Sequence, residues 1–524
     1  MSFDKKTWAD RVSEYPARRT LTNESGASSV YTVERNEGTV TVEGDAFSAE
    51  NMNDLENRID NAISDIDDTL TNLIKLKCNC DDFMIGQTVT ITDGTTTLSL
   101  EVDDTKVITF VLPNLGTWTL TNPVTGATKE FEVDYYGTYE TTIKSYYYYT
   151  MQIDHSKSDP AKMCSYVGDI AGHETGHDAW VNEPIFKDLA PCILVGGAVT
   201  AYLDRDNYER TVEGGSAAIT TLGNDVMIEI PYRIGYRIEW LDDSILEVSI
   251  TNNPNDSDYN YDAFSLNSYN DCDKIYIGAY KGFVSSNTLY SVSGKTPTGS
   301  VTETNFRTYA RNKGTGYQIR GNGQLKLWQC MYLIQYCNLN SQEQVGYGYV
   351  NSSHSAATAT GGANNYGFDS EIITESNPTY MTDQNHQVKC LGLEDAWGNI
   401  WEFIDGLGSD ASRNIMTCQC AVNYATELTN YTNNGNGGVS ANLANYMSVP
   451  QGGSNAGFTG KAVNGSTTTY YCDCAYLSPS CLVIFGGYWS SALTAGAFQL
   501  ALTYTFSFSD ASVGARLVYL HLES

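Results

Sequence analysis

From Phe498 to Ser509 the chain alternates without a break. Phe498, Leu500, Leu502, Tyr504, Phe506 and Phe508 are apolar or aromatic, and Gln499, Ala501, Thr503, Thr505, Ser507 and Ser509 between them are small or polar. Successive residues of a strand face opposite sides of its sheet, so a period of two predicts one face for burial and one of interchangeable short side chains. On this reading Phe498, Leu500 and Leu502, with Trp489 before them, point into a core. Gln499, Ala501, Thr503 and Thr505 then share the solvent side. The run is long for one strand, which predicts a bend or turn within it. Residues 513–520 (VGARLVYL) follow as an apolar strand suited to the middle of a sheet.

Nearer the N-terminus the period changes. Met52, Leu55, Ile59, Ala62, Ile66, Leu73 and Leu76 follow 3-4 spacing, interrupted by Thr69, while Asp, Glu, Asn and Arg fill the other positions. Ser48 is a good N-cap, with Phe47 and Met52 placed as a hydrophobic staple. So narrow a stripe predicts a coiled coil over 45–77, the alternative being one amphipathic helix packed on its own domain. Its mixed Ile, Leu and Met positions permit a trimer. Residues 78–147 read as a small β-sandwich with runs at 88–92, 107–111 and 117–121, separated by turn signals such as Asp93-Gly94. In 148–524, strands are predicted at 192–195, 225–230 and 274–277. A helix is predicted over 324–338, where Leu327, Cys330, Met331, Ile334 and Cys337 share one face, and loops at 253–272, 351–366 and 426–468. Residues 1–44 are polar and too short for a core of their own, so they are expected to order against a partner.

Two words are specific. Residues 392–403 read GLEDAWGNIWEF, where Gly398-Asn399 predicts a tight turn and Trp397, Trp401 and Phe403 are core-sized anchors. The C-terminal stretch runs from GGYWSS (486–491) through GAFQLAL (496–502) to VGARLVYL. Together they resemble the variable proteins of diversity-generating retroelements, often phage receptor-binding proteins with a C-type lectin-like fold shared with formylglycine-generating enzymes. The words KTWADRVSEYPARR, VERNEGTV and EGDAFSAENMNDLENRI resemble the N-terminal attachment segment of phage tail and baseplate proteins, and the sandwich resembles the Ig-like modules of tail proteins. The resemblance implies a multidomain, mainly β chain with α+β parts. Its order would be an attachment segment (1–44), a coiled coil (45–77), an Ig-like spacer (78–147) and a lectin-like receptor-binding domain (148–524), with a variable region at about 486–520. It implies a framework of Gly487, Trp489, Gly496, Phe498, Gly514, Arg516 and Leu517. The ligand-binding positions it implies are Tyr488, Ser490, Ser491, Ala492, Thr494, Gln499, Ala501, Thr503, Tyr504, Thr505, Ser507, Ser509, Asp510 and Ser512. The implied partners are a host cell-surface receptor, protein or glycan, tail or baseplate proteins at the N-terminus, and further copies in a trimer. The implied location is the virion tail.

Charge and candidate chemistry narrow this further. A formal charge of −31 opposes nucleic-acid binding, which needs clustered Lys and Arg. The 37 tyrosines, with plentiful Asn, Ser, Thr and Gly, suit adaptable recognition surfaces and all-β proteins alike. The start MSFDKKTWADR has no apolar leader and no window reads as a membrane span, so synthesis in a host cytoplasm is expected, with 13 cysteines reduced and mostly buried. Residues 173–177 (HETGH) match a zinc-protease word, but Gly172 and Gly176 interrupt the helix on which both histidines would need to share a face. Residues 256–260 (DSDYN) start like a calcium loop and lack its sixth-position Gly and twelfth-position Glu. The CxC pairs at 78/80, 418/420 and 472/474 lack zinc-ribbon spacing. The enzymatic branch of the resemblance needs reactive cysteines near a word like GFRC. Here the word is GARL and no cysteine follows Cys481, so no catalytic residue, metal or cofactor is expected. An oxidase-like enzyme and a structural tail protein are the competing readings.

Overall fold

The computed structural model describes residues 18–22, 28–32, 49–71, 73–370, 383–435 and 441–522. The chain divides into two compact units, Met1–Ser145 and Tyr146–Ser524. Of the expected attachment segment, Arg18–Thr22 and Ser28–Thr32 form an antiparallel pair, and the rest lies outside the described residues. Helix α1 spans Ala49–Thr71 and leaves Leu55 and Ile59 45% and 42% exposed within the single chain.

The helical stripe does not run to residue 77. Residues Ile74–Asn79 form strand β1, which pairs antiparallel with Val107–Leu112 and parallel with Gly137–Thr142. Leu76, which fits the 3-4 spacing, is 1% exposed in a sheet core. Ile74, Leu76 and Cys78 also satisfy a period of two, and pairing on both edges of the strand selects it. A second sheet orders Thr97–Glu101, Thr88–Thr92, Gly116–Thr121 and Thr128–Val133. Both sheets share one core around Val89, Ile91, Phe110 and Trp118.

In the second unit, five strands carry the site: β2 (Cys272–Lys281), β3 (Trp401–Ser409), β4 (Cys481–Phe485), β5 (Leu500–Tyr504) and β6 (Arg516–Leu522). A six-stranded sheet contains Ala190–Val195 and Asp225–Ile230 where strands were predicted, then β2, β6 and Tyr317–Ile319. β6 lies between two antiparallel neighbours, matching Ile275 with Leu520 and Ile319 with Leu517. Its central place fits its apolar sequence. A larger sheet pairs β3 with β4 and β4 with β5, while β5 runs parallel to Cys474–Leu477. The last forty residues therefore cross from one sheet to the other, touching β3 on the way where Val513 and Gly514 pair parallel with Trp401 and Glu402.

Helix α2 (Asn322–Tyr336), predicted from its spacing, is buried on every side, as expected of a helix inside a large domain. It ends at Cys337 in a left-handed conformation. Its Leu325, Trp328, Met331 and Tyr332 share a core with Ile228, Ile277, Phe485, Phe498 and Val518. A third sheet, of Cys164–Val167, Tyr148–Asp154, Ile245–Thr251 and Gly235–Trp240, packs into the same core through Met151, Ile153, Val248 and Ile238.

Candidate recognition surface

The site rests on a buried ionic cluster that joins the two sheets. Glu402 of β3 accepts from Lys281 Nζ and Arg516 Nε, each at 3.1 Å, and Arg320 Nη1 stands 3.6 Å from its other oxygen. All four side chains are fully buried. Arg516 also donates through Nη1 to the carbonyls of Gly278 and Ala279, and through Nη2 to those of Glu394 and Asp395. One guanidinium thus ties β6 to β2 and to the 392–403 loop, a task for Arg's rigid fork of donors. Burial works against ionisation of Glu402, but Lys281, Arg516 and Arg320 together pull it down to about 2. Burial in turn pushes Lys281 down to about 8.

The loop word holds the neighbouring backbone. Glu394 accepts from the amides of Gly361 and Ala363 at 2.6 and 2.8 Å. Asn399, at φ 61°, donates to Asp395 at 2.7 Å and to the Thr358 carbonyl at 3.1 Å. Gly398 is required at the turn, because its φ is 79° and a Cβ there would meet Val350 at 2.7 Å. Trp397 and Phe403 are fully buried, as their size predicts, and Trp401 is 8% exposed. This turn then carries the C-terminal stretch: the Gly398 amide donates to Gly486 O, and Trp489 N donates to Asn399 O.

On this frame the 14 candidate positions separate into three groups. Thr503, Thr505, Ser507, Ser509 and Asp510 are exposed, and Tyr488, Ser490, Ala492, Thr494, Tyr504 and Ser512 are half-buried. Ser491, Gln499 and Ala501 are buried, which corrects the expected facing of these three. Alternation fixes two faces of β5 but not which meets solvent, and the first part of β5 is covered on both. Phe498, Leu500 and Leu502 enter the main core, while Ala501 (3% exposed) packs with Phe403, Leu482, Ile484 and Val513 in a second. Gln499, 1% exposed, donates to Thr494 Oγ1 at 3.2 Å, and the lack of a side chain at Gly487 makes its room. Ser491 Oγ accepts from Tyr488 N at 3.0 Å and so shapes the loop from within.

Two aromatic expectations also change. Trp489 is half-buried rather than in the core, set edge-on to Tyr488 at 5.3 Å. The strand stops at Tyr504, so Phe506 and Phe508 lie beyond it and are half-buried. Phe508 N donates to Thr505 O, closing the predicted bend and stacking Phe508 on Tyr504 at 3.8 Å. Tyr488 stacks on Trp401 at 6.3 Å. The result is an aromatic ledge flanked by the five exposed short side chains. The ionic cluster below it was not assembled from the sequence, although Glu402 and Arg516 inside apolar strands were its visible signal.

Elsewhere, residues 173–176 are not helical and His177 begins a four-residue helix, so the two histidines share no helix face. His177 Nδ1 lies 2.8 Å from Asp369. Among the described residues no group of three or more His, Cys, Asp or Glu could hold a metal ion. Ten of the thirteen cysteines are buried, and Cys80, Cys164 and Cys420 are half-buried. Leu517 is fully buried between β2 and Tyr317–Ile319. Among the described residues no helix is long and apolar enough to cross a membrane.

No family model matches the chain, and no curated protein does. Among solved structures, PvdO from Pseudomonas aeruginosa is 10% identical, with 57% of this chain and 95% of that one covered and a TM-score of 0.24. The Major Tropism Determinant U1 variant is 12% identical and the M1 variant 13%. Each alignment covers 78% of this chain and 82% of the other, with a TM-score of 0.23. Over most of its length, the chain is similar to variants of the Major Tropism Determinant.

Proposed function

We propose that this chain is a phage receptor-binding protein, held on the virion tail by its N-terminal segment and ending in a lectin-like domain that contacts a host-cell surface. The observation that carries the reading is the split within residues 486–520. Buried anchors (Phe498, Leu502, Arg516) bound a surface where Thr503, Thr505, Ser507 and Ser509 are exposed and where no side-chain hydrogen bond ties these four to the framework among the described residues. Such positions can exchange while the frame stays fixed, since exposed substitutions change stability by about 0.5 kcal/mol or less. Half-buried Tyr488, Tyr504 and Phe508 add rigid aromatic area beside them, the composition of an adaptable binding surface. The sequence resemblance supports the same reading. In it, α1 joins three copies as a coiled coil, and the small two-sheet unit is an Ig-like spacer that sets reach. The protein is not an enzyme on this reading, because the place of the required cysteine is taken by Leu517, a buried core residue with no thiol.

The test replaces the four exposed residues Thr503, Thr505, Ser507 and Ser509 together with Lys and measures adsorption to host cells and thermal melting. Adsorption is expected to be lost or redirected while the melting temperature stays nearly constant. Unchanged adsorption to the same cells would place recognition elsewhere and favour a structural tail role.

A further inference from the structure

Beside the recognition surface, within the same unit, lies a cleft of about 390 Å³ that no part of the reading above uses. It is lined by Asp159, Pro160, Asn340, Gln342, Glu343 and Tyr347, and closed by Thr467, Thr468 and Leu493. Leu493 stands between Ala492 and Thr494, so one wall of the cleft is the back of the exchangeable surface. The other walls come from outside that stretch. The volume lies toward the lower end of small-ligand sites, roughly 300–1,000 Å³.

The lining is pre-set, and its amide donors are already engaged. Asp159 Oδ1 accepts from the amides of Ala161 and Lys162, and its Oδ2 accepts from Lys162 Nζ at 2.7 Å. Asn340 Oδ1 accepts from Glu343 N, and Asn340 Nδ2 donates to Glu343 Oε2, both at 3.2 Å. Gln342 Nε2 donates to the carbonyls of Tyr347 and Ala492 at 3.4 and 3.3 Å. What remains in the lining is acceptor capacity on the Gln342 amide oxygen and the carboxylates, together with the hydroxyls of Thr467, Thr468 and Tyr347, which both donate and accept. A ligand matching this lining must bring hydrogen-bond donors for the carboxylates and the amide oxygen, and groups such as hydroxyls that can also accept. It must also bring apolar surface for Pro160, Leu493 and the Tyr347 ring. No Arg or Lys lines the cleft and Lys162 is held by Asp159, so an anion finds no counter-charge there. With Asp159 already paired, a cation finds only the exposed Glu343.

We infer that this cleft is a binding site for one ring of a neutral sugar, a fixed subsite next to an exchangeable surface. A pyranose offers several hydroxyl donors around an apolar C–H face, which is the pattern the lining asks for. The inference rests on the recognition reading for the sugar's place on a cell, and not for the binding itself. The specificity of the chain then has two parts. The cleft selects a class of saccharide, and residues 488–512 select what surrounds it.

Saturation-transfer NMR on the full chain with methyl glycosides of glucose, galactose, mannose and N-acetylglucosamine tests this. At least one glycoside is expected to receive saturation. Its Kd should weaken at least ten-fold in Thr467→Leu, which fills the cleft, and in Glu343→Ala, which removes an exposed acceptor, with melting unchanged in both. No transfer to any glycoside overturns the inference, as does transfer undiminished in both variants. Binding of putrescine in place of every glycoside overturns it too, by making the site one for amines. Cell adsorption separates the two readings. If the bound glycoside blocks adsorption, the sugar is a cell-surface glycan; if it binds without blocking, the cleft takes a free sugar and the site stands. If the chain adsorbs to no cell while still binding the glycoside, the recognition reading fails and the cleft remains.

Discussion

Glu402 is one carboxylate among three buried cations, and it holds two sheets and a loop in register. Removing its charge while the cations stay leaves them uncompensated, so Glu402→Gln is expected to cost about 3–5 kcal/mol in urea unfolding at pH 7. Its pH signature follows from the shift. Glu402 sits near 2 in the folded chain against 4.5 for the free side chain, so ionised Glu402 favours folding. That contribution is complete above about 4.5 and is lost as the pH falls toward 2. The native chain should therefore lose more stability between pH 5 and pH 2.5 than the Gln variant does; equal losses would remove Glu402 from the acid response. Arg320 is the contrasting case. Among the described residues its three guanidinium nitrogens have no hydrogen-bond partner, and it lies over the rings of Trp328 and Phe485. Arg320→Met keeps that packing and removes one of the three cations, so it should leave stability within about 1 kcal/mol of the parent or raise it. The same denaturation experiment reads this difference.

At the scale of elements, β5 passes from a two-sided core into solvent within five residues. This makes stability tests position-specific. Ala501→Tyr overfills the second core and should cost about 1–3 kcal/mol, while Thr503→Tyr, two residues along the same face, should cost about 0.5 kcal/mol or less. Phe498→Ala opens the main core and should cost about 3–5 kcal/mol. Thermal melts of the three variants check the order, and an Ala501→Tyr protein as stable as Thr503→Tyr would show the second core to be loose. Gly496 belongs to the same frame. A Cβ there would stand 2.1 Å from the Asp473 carboxylate, whose other oxygen accepts from Phe498 N at 2.8 Å. Space, rather than backbone angle, therefore requires glycine at the entry to β5.

At the scale of the whole molecule, α1 is long, amphipathic and, within the single chain, without cover over Leu55 and Ile59. Burying that stripe against two further copies is the physical reason to expect a trimer. Light scattering of the full chain should give three times the monomer mass, and a monodisperse monomer would refute it. Deleting residues 1–72 should weaken the assembly. The cut belongs before Ile74, because β1 is part of the sandwich core and removing it would test folding instead of assembly.

Local periodicity was enough for the mainly β character, for α2, for strands at 192–195, 225–230 and 274–277, and for a central β6. Each of these is a run whose hydrophobic period suits one element alone. Periodicity also placed Phe498, Leu500 and Leu502 inside and Thr503 and Thr505 outside. It could not end α1, because Leu73 and Leu76 fit a helical stripe and Ile74, Leu76 and Cys78 fit a strand. The choice came from partners 28 to 63 residues away along the chain. Nor could it expose Gln499 or Ala501 as buried, because a period of two separates faces without saying how many are covered, and a second core lies over the outer face of β5. The pairing of Glu402 with Lys281, Arg320 and Arg516 spans 82 to 121 residues, and the 390 Å³ cleft likewise brings Asp159 and Asn340 to Thr467 and Leu493. A repeat of two or 3.6 residues carries no information over that distance, so these features were decided by the tertiary structure.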